Sequence, residues 1–203
     1  MALSALTLNC SLKRSSGEAS STDVLLGQVE EKLRGEGASI ERLRIADFNI
    51  LPGVTSDEGE GDDWPMIRKK VLAADILILG TPIWMGQPTS IVKRVLERMD
   101  AFLGETDDAG RMVSTGIVAG VAVVGNEDGA HHVCAELFQA LNDVGFSLAP
   151  NACTYWVGEA MGKVEYKDLD ETPETTASAT EMMVRYAAHL SRQLKAAPYP
   201  GEK

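Results

Sequence analysis

Fourteen residues near the N-terminus, Asn9 to Thr22, read NCSLKRSSGEASST. They hold six hydroxyls (Ser11, Ser15, Ser16, Ser20, Ser21 and Thr22) and two cations, Lys13 and Arg14. A short apolar run precedes them and a helix-period run follows, so the segment opens a helix. Aligned backbone N–H groups, hydroxyl donors and positive charge are what a phosphate requires. Capping the helix would need one hydroxyl rather than six. A dinucleotide fingerprint needs three spaced glycines, and this segment has only Gly17. The nearest Walker A match, Gly158 to Val164, has a gap one residue too short and Val164 where a hydroxyl is required. A terminal monophosphate is the ligand group that remains.

Two further segments carry chemistry. Gly80 to Pro88 (GTPIWMGQP) combines restricted backbone with the apolar surface of Trp84 and Met85. That pairing suits a flat aromatic ring with polar edges, or else a rigid turn whose Trp84 packs on a neighbour. Gly125 to His132 (GNEDGAHH) offers two glycines that let backbone approach a ligand closely. Asp128 is placed to cap the following helix. His131 and His132 lie in its first turn, where the helix dipole favours neutral imidazole. They lack a third ligand at metal spacing. The acidic segment PGVTSDEGEGDDWP resembles a calcium loop, but counting from Asp57 the third position is Gly59. It reads as a solvated lid or an oligomer contact.

These segments need a scaffold, and the hydrophobic periods supply one. Strands are expected at Leu3–Asn9, Ser39–Ile45, Asp75–Gly80 and Gly116–Gly125, with one or two short strands over Phe146–Val157. Helices are expected at Ser20–Gly35, Ile67–Ala73, Pro88–Leu103, Gly129–Val144 and Thr175–Leu194. Alternating strands and helices with continuously apolar strands imply a parallel sheet covered on both faces. Five strands fit the doubly wound α/β order 2-1-3-4-5, whose ligands sit beyond the strands' carboxyl ends. All three chemical segments follow strands. The expected organisation is one domain over residues 1–196 and a frayed tail over 197–203.

Composition narrows the function. The 203 residues carry a formal net charge of −11 with no basic stripe, which argues against nucleic acid and against an anionic membrane. Cys10, Cys134 and Cys153 are far apart and read as reduced thiols, with no metal site. The N-terminal apolar run is short and broken by Ser4 and Thr7, so it reads as a strand rather than a signal peptide. The expected compartment is the cytoplasm.

Taken together, NCSLKRSSGEASST, ADILILGTPIWMGQPTSIVKRVLERMD and VVGNEDGAHH resemble the flavodoxin-like NAD(P)H-dependent FMN reductase family, over roughly residues 3 to 160. The resemblance implies non-covalent FMN. Ser11, Lys13, Ser15, Ser20, Ser21 and Thr22 would hold its phosphate. Thr81, Pro82, Ile83, Trp84, Met85 and Gly86 would line the isoalloxazine. Gly125, Asn126, Glu127, Asp128, Gly129 and His131 would meet its pyrimidine edge. The opening Asn9-Cys10-Ser11-Leu12-Lys13 departs from the family's compact G-S-x-R/K. The cysteine cluster of related iron–sulfur flavoproteins is absent, so no iron–sulfur centre is expected. The implied activity is hydride transfer from NAD(P)H through FMN to a quinone, free flavin or similar small-molecule acceptor, with no assigned catalytic side chain. A flavodoxin-type electron carrier and a non-catalytic flavin-binding protein are the alternatives. A homodimer or homotetramer is expected, with Pro88–Leu103 and the acidic segment as the interface.

Overall fold

The computed structural model describes residues 2–201. Five long strands, β1 (Leu3–Asn9), β2 (Ala38–Arg44), β3 (Ile76–Trp84), β5 (Val118–Gly125) and β6 (Ser147–Val157), form a parallel sheet in the order β2-β1-β3-β5-β6. A two-residue strand, β4 (Gln87–Pro88), pairs antiparallel with the end of β3. Counting the long strands alone, this is the doubly wound 2-1-3-4-5 order of a flavodoxin-like fold. The helices are α1 (Ser21–Gly35), α2 (Trp64–Ala73), α3 (Ser90–Met99), α4 (Ala130–Asp143) and α5 (Glu174–Ala196).

The pleat sorts each strand between two cores. Leu6, Leu8, Leu77, Leu79, Val121 and Val123 face α2, α3 and α4, meeting Ile67, Val95 and Leu137. Their strand neighbours Ala5, Ile76, Ile78, Ala122 and Val124 face α1 and α5, meeting Leu26, Val29, Met183 and Val184. Each such fully buried aliphatic side chain contributes about 1.5–3 kcal/mol. Sheet and helices therefore form a rigid base beneath the carboxyl ends of β1, β3, β5 and β6.

Several boundaries differ from expectation, each for a local reason. β3 does not stop at Gly80 but runs to Trp84 and folds back on β4, with Ile83 opposite Pro88 and Trp84 opposite Gln87. Met85 (φ 53°) and Gly86 (φ 73°) make the reversal. Two successive positive φ angles are the signature of the tight turn that matches strand twist. The expected loop is thus a hairpin, and α3 begins only at Ser90. The helix is capped by Thr89, whose Oγ1 accepts from Val92 N at 3.2 Å. After Met99 the chain tightens into a 3₁₀ turn over Asp100–Gly104. β6 takes the first of the two forms expected over Phe146–Val157, a single strand, but a long one of 11 residues. Its register slips from Leu148 opposite Ala119 to Cys153 opposite Val121, absorbing Pro150, which has no N–H to give.

The acidic segment is exposed over most of its length but anchored at one point, where the fully buried side chain of Asp62 pairs with the equally buried side chain of Arg98 of α3 at 2.7 Å. Arg98 also donates to Thr55 O and Leu51 O, both at 3.0 Å, and stacks 5.8 Å from the Trp64 ring. The segment is clamped to α3. The apolar side of α3, with Val92, Val95, Leu96 and Met99, is spent on the core rather than on an interface. Helix α5 ends at Ala196, and the expected tail lies partly outside the described residues. Within the described part, Tyr199 O accepts from Arg111 Nη1 at 3.2 Å. No helix of the described residues is long and apolar enough to cross a membrane.

Candidate functional site

An open cleft of about 150 Å³ lies where β1, β3, β5 and β6 end. Ser11, Lys13, Ser20, Ser21 and Thr22 line it from the first loop, Pro82, Ile83 and Trp84 from the hairpin, and Gly125 and Asn126 from the third loop. The three segments singled out from sequence therefore meet at one place.

The first loop is held by a polar network centred on Asp23. Ser20 caps α1, its Oγ accepting from Asp23 N at 3.1 Å. In return the Asp23 carboxylate accepts from Ser20 N at 2.9 Å, closing a reciprocal box. Asn9 Nδ2 donates to Asp23 Oδ1 at 2.6 Å, and Arg44 binds the same carboxylate. Burial alone would raise the Asp23 pKa, but the Ser20 N–H and the Arg44 guanidinium outweigh it and hold the carboxyl below its usual range. Asn9 Oδ1 accepts from Ser11 N at 2.9 Å, fixing the turn into the loop. Ser20 is thus occupied with capping, and Ser15 is turned away to Asp47.

Ser21 Oγ accepts from Lys167 N at 3.4 Å, which leaves two orphaned hydroxyls in the cleft lining. Ser11 Oγ and Thr22 Oγ1 are buried, line the cleft, and have no hydrogen-bond partner among the described residues. An orphaned buried hydroxyl costs about 1–3 kcal/mol. Two of them beside a helix N-terminus and the Lys13 ammonium make a donor set that fits a phosphate.

The other predicted residues hold the walls or stand outside the cleft. Thr81 is fully buried, and its Oγ1 accepts from Thr89 N at 3.2 Å. Thr89 Oγ1 donates to Cys10 O at 2.7 Å, tying the hairpin to the first loop. Gly86 N donates to the Glu127 carboxylate at 3.2 Å, tying the hairpin to the third loop. Gly129 (φ 122°) lies so close to the hairpin that a Cβ there would sit 2.7 Å from Gly86 Cα. Met85 points to solvent at 88% exposure. Asp128 does not cap α4. It accepts from Gly129 N instead, and Gly129 holds the cap position without a side chain. His131 Nε2 lies 2.9 Å from Tyr155 Oη, outside the cleft.

Five lining residues escaped the sequence reading: Leu12, Val124, Trp156, Glu165 and Tyr166. Trp156 and Tyr166 pack with ring centroids 5.4 Å apart. Tyr166 Oη donates to Gln28 at 2.6 Å, and Lys167 N donates to Ser21 Oγ at 3.4 Å, so the segment after β6 is docked on α1. Asn126 Nδ2 donates to Gly162 O at 2.6 Å, holding that segment against the third loop as well. Trp156 was findable, because it stands at the carboxyl end of a sheet strand. Glu165 and Tyr166 were not, since nothing in an irregular segment fixes where it returns. Cys10 beneath the site is fully buried, and burial pushes its thiol far up, so it supplies no thiolate. Among the described residues no group of three or more His, Cys, Asp or Glu could hold a metal ion.

The model of one protein family, NADPH-dependent FMN reductase, matches residues 3–161. The 8-demethyl-8-aminoriboflavin-5′-phosphate synthase of Streptomyces davaonensis is 34% identical over 211 residues, 98% of this chain and 81% of that protein. The solved structure of RosB with bound intermediate 8-demethyl-8-formylriboflavin-5′-phosphate superposes with a TM-score of 0.86 at 31% identity, covering 98% of this chain and 82% of that one. The Divalent metal cation transporter MntH of Mycobacterium bovis is 35% identical over 201 residues, 96% of this chain but only 29% of that protein.

Proposed function

The chain belongs to the NADPH-dependent FMN reductase family, and on that premise we propose that it passes electrons from NAD(P)H through bound FMN to a quinone, free flavin or similar acceptor. It is a flavin-dependent oxidoreductase with FMN as its cofactor. The observation that carries the reading is the pair of orphaned hydroxyls, Ser11 Oγ and Thr22 Oγ1, in the cleft beside the α1 N-terminus and Lys13.

FMN, when bound, supplies the redox chemistry by accepting a hydride and giving the electrons on. The chain's residues position it. Ser11 and Thr22 would donate hydrogen bonds to the phosphate, Lys13 would offset its charge, and the N-terminus of α1 would add its dipole. Pro82, Ile83 and Trp84 would give the ring an apolar wall, with Trp156 and Tyr166 as further aromatic lining. Gly125 and Asn126 would meet its polar edge. Thr81, Gly86, Glu127 and Gly129 act through these residues by locking the hairpin to the loops on either side. At about 150 Å³ the cleft is smaller than usual ligand pockets, and the exposed Trp84 at its rim would be available to a bound ring as well. Titration of purified protein with FMN, followed by visible absorption, should reach saturation. Steady NAD(P)H oxidation with a quinone should follow. A protein that takes up no flavin overturns the reading.

A second reading treats flavin phosphate as the substrate, modified and released. Its support is the Streptomyces davaonensis synthase, alike over 98% of this chain. Mass spectrometry of the flavin recovered after turnover separates the two: unchanged FMN supports a cofactor, and a ring of altered mass supports a substrate.

A further inference from the structure

The three cysteines are far apart in sequence, yet the fold brings two of them together. Cys134 is buried on α4, Cys153 stands on β6, and both pack in the core between that helix and the sheet. The docking of the two elements sets this contact. At the start of α4, His131 packs edge-on against Tyr155 of β6, with ring centroids 5.1 Å apart and Nε2 2.9 Å from Tyr155 Oη. The helix links the parallel strands β5 and β6, so it runs back against them. One turn along the helix from His131 keeps the same face and reaches Cys134. Two residues back along the strand from Tyr155 keeps the same face and reaches Cys153. The two thiols accordingly stand within hydrogen-bond reach of each other. Cys10 lies apart beneath the first loop, with its Sγ 3.7 Å from Leu8 O.

The paired thiols differ in access. Cys134 is buried, whereas Cys153 is half-buried. β6 is the last strand of the sheet and bonds on one side only. Its register slips just before Cys153, where Asn151 takes a φ of 54°. One thiol is therefore open to a small solute on an irregular stretch of edge strand, and the other waits behind it. The Cys134 thiol, bonded to the Cys153 sulfur, holds the Cys153 thiol below its usual range. The same contact, together with burial, pushes the Cys134 thiol up. A reachable sulfur with thiolate character attacks an oxidant, and a thiol beside it resolves the product.

We propose that Cys153 and Cys134 form a redox modification site, which hydrogen peroxide oxidises to a disulfide tying α4 to β6. In the first step the Cys153 sulfur attacks one peroxide oxygen. The O–O bond breaks, and a sulfenic acid and a water form. In the second step the Cys134 sulfur attacks the Cys153 sulfur. The S–O bond breaks, the S–S bond forms, and a second water leaves with the remaining thiol proton. Two electrons pass from the sulfurs to the peroxide. A dithiol reductant reverses the change by exchange. The cross-link bears on the cleft, because α4 follows Gly129, whose backbone presses on the hairpin, and β6 carries the lining residue Trp156.

The test treats the full chain, with FMN present and in the dark, with hydrogen peroxide. The protein is then unfolded, its free thiols are alkylated, and its peptides are mapped by mass spectrometry. The parent should yield peptides linked through Cys134 and Cys153, with Cys10 alkylated, and dithiothreitol should restore both thiols. Cys134→Ala, which lacks the resolving thiol, should stop at a Cys153 sulfenic acid that dimedone traps. Cys153→Ala should leave Cys134 free to be alkylated. The result on the parent decides the matter even where a variant fails to fold. A parent that keeps all three thiols, that takes Cys153 to the sulfinic acid without a link, or that links through Cys10 or only between molecules overturns the proposal.

Discussion

Lys13 and Glu165 face the same cleft with opposite charge, and their substitutions should move FMN affinity in opposite directions. Lys13→Ala removes a cation from the phosphate cradle. A charged hydrogen bond is worth about 1.5–3 kcal/mol, so affinity should fall about tenfold or more. Glu165 is the one acid among the lining residues, half-exposed and 3.4 Å from Lys167. A carboxylate sharing a cleft with a phosphate repels it, so Glu165→Gln should tighten binding several-fold, screened by its exposure. Fluorescence titration of FMN reads both. Unchanged affinity in Lys13→Ala would mean that the phosphate lies elsewhere. Weaker binding in Glu165→Gln would mean that the carboxylate accepts a hydrogen bond from the ligand.

At the scale of elements, two clamps hold loops in place, one of them at the rim of the cleft. Gly129 presses its backbone on the hairpin turn, where a Cβ would meet Gly86 Cα at 2.7 Å, and its φ of 122° disfavours other residues. Gly129→Ala should push the Met85–Gly86 turn outward and weaken FMN binding. Lys13→Ala should leave the unliganded melting temperature close to the parent's, whereas Gly129→Ala should lower it, and calorimetry distinguishes the two. The second clamp is Arg98 on Asp62. Burial alone would raise the Asp62 pKa, but Arg98 and the N–H groups of Glu58, Trp64 and Leu51 reverse this and hold the carboxyl well below the carboxylate range. Because the folded pKa is depressed, the stabilisation is complete above the unfolded value of about 3.9 and is lost as pH falls from there toward the folded value. Asp62→Asn should flatten that acid limb. Arg98→Ala should cost about 3–5 kcal/mol at neutral pH by leaving the buried Asp62 carboxylate without its counter-ion. Urea unfolding across pH 2–7 measures both.

Periodicity located the long strands and helices because burial on both faces makes β1, β3 and β5 continuously apolar. The reversal at Met85–Gly86 was hidden, since Met85 gives no sign that it adopts a positive φ. The clamp of Asp62 was hidden for a related reason. All five acids of that segment read as solvated, and nothing local marks Asp62 as the one that Arg98, 36 positions away on α3, holds in the interior. Within the site, residues fixed by a strand end or by the first turn of the following helix were legible from sequence order. Ser11 and Trp84 are of the first kind, and Thr22 of the second. Glu165 and Tyr166 depend on how an irregular segment docks on α1 through Gln28 and Ser21, which no local pattern encodes.

For the whole molecule, the field and the site disagree in sign. The chain's net charge of −11 repels a flavin phosphate at long range, while Lys13 and the α1 N-terminus attract it at contact. Salt separates the two ranges. Raising ionic strength from 0.01 M to 1 M shortens the screening length from about 30 Å to about 3 Å, which removes the distant repulsion and spares hydrogen bonds formed at contact. The FMN association rate, followed by stopped-flow fluorescence, should therefore rise with salt, and the dissociation rate should change much less. Binding should also stabilise the fold as a unit. Free FMN at one hundred times its dissociation constant adds about 2.7 kcal/mol, or roughly 5–11 °C in melting temperature for a chain of this size. Hydrogen exchange should slow in the three loops that close on the ligand, from Ser11, from Pro82 and from Gly125, more than in α5 behind the sheet. An association rate that falls with salt would show that Lys13 and Arg14, rather than the acidic surface, set the field an approaching flavin meets.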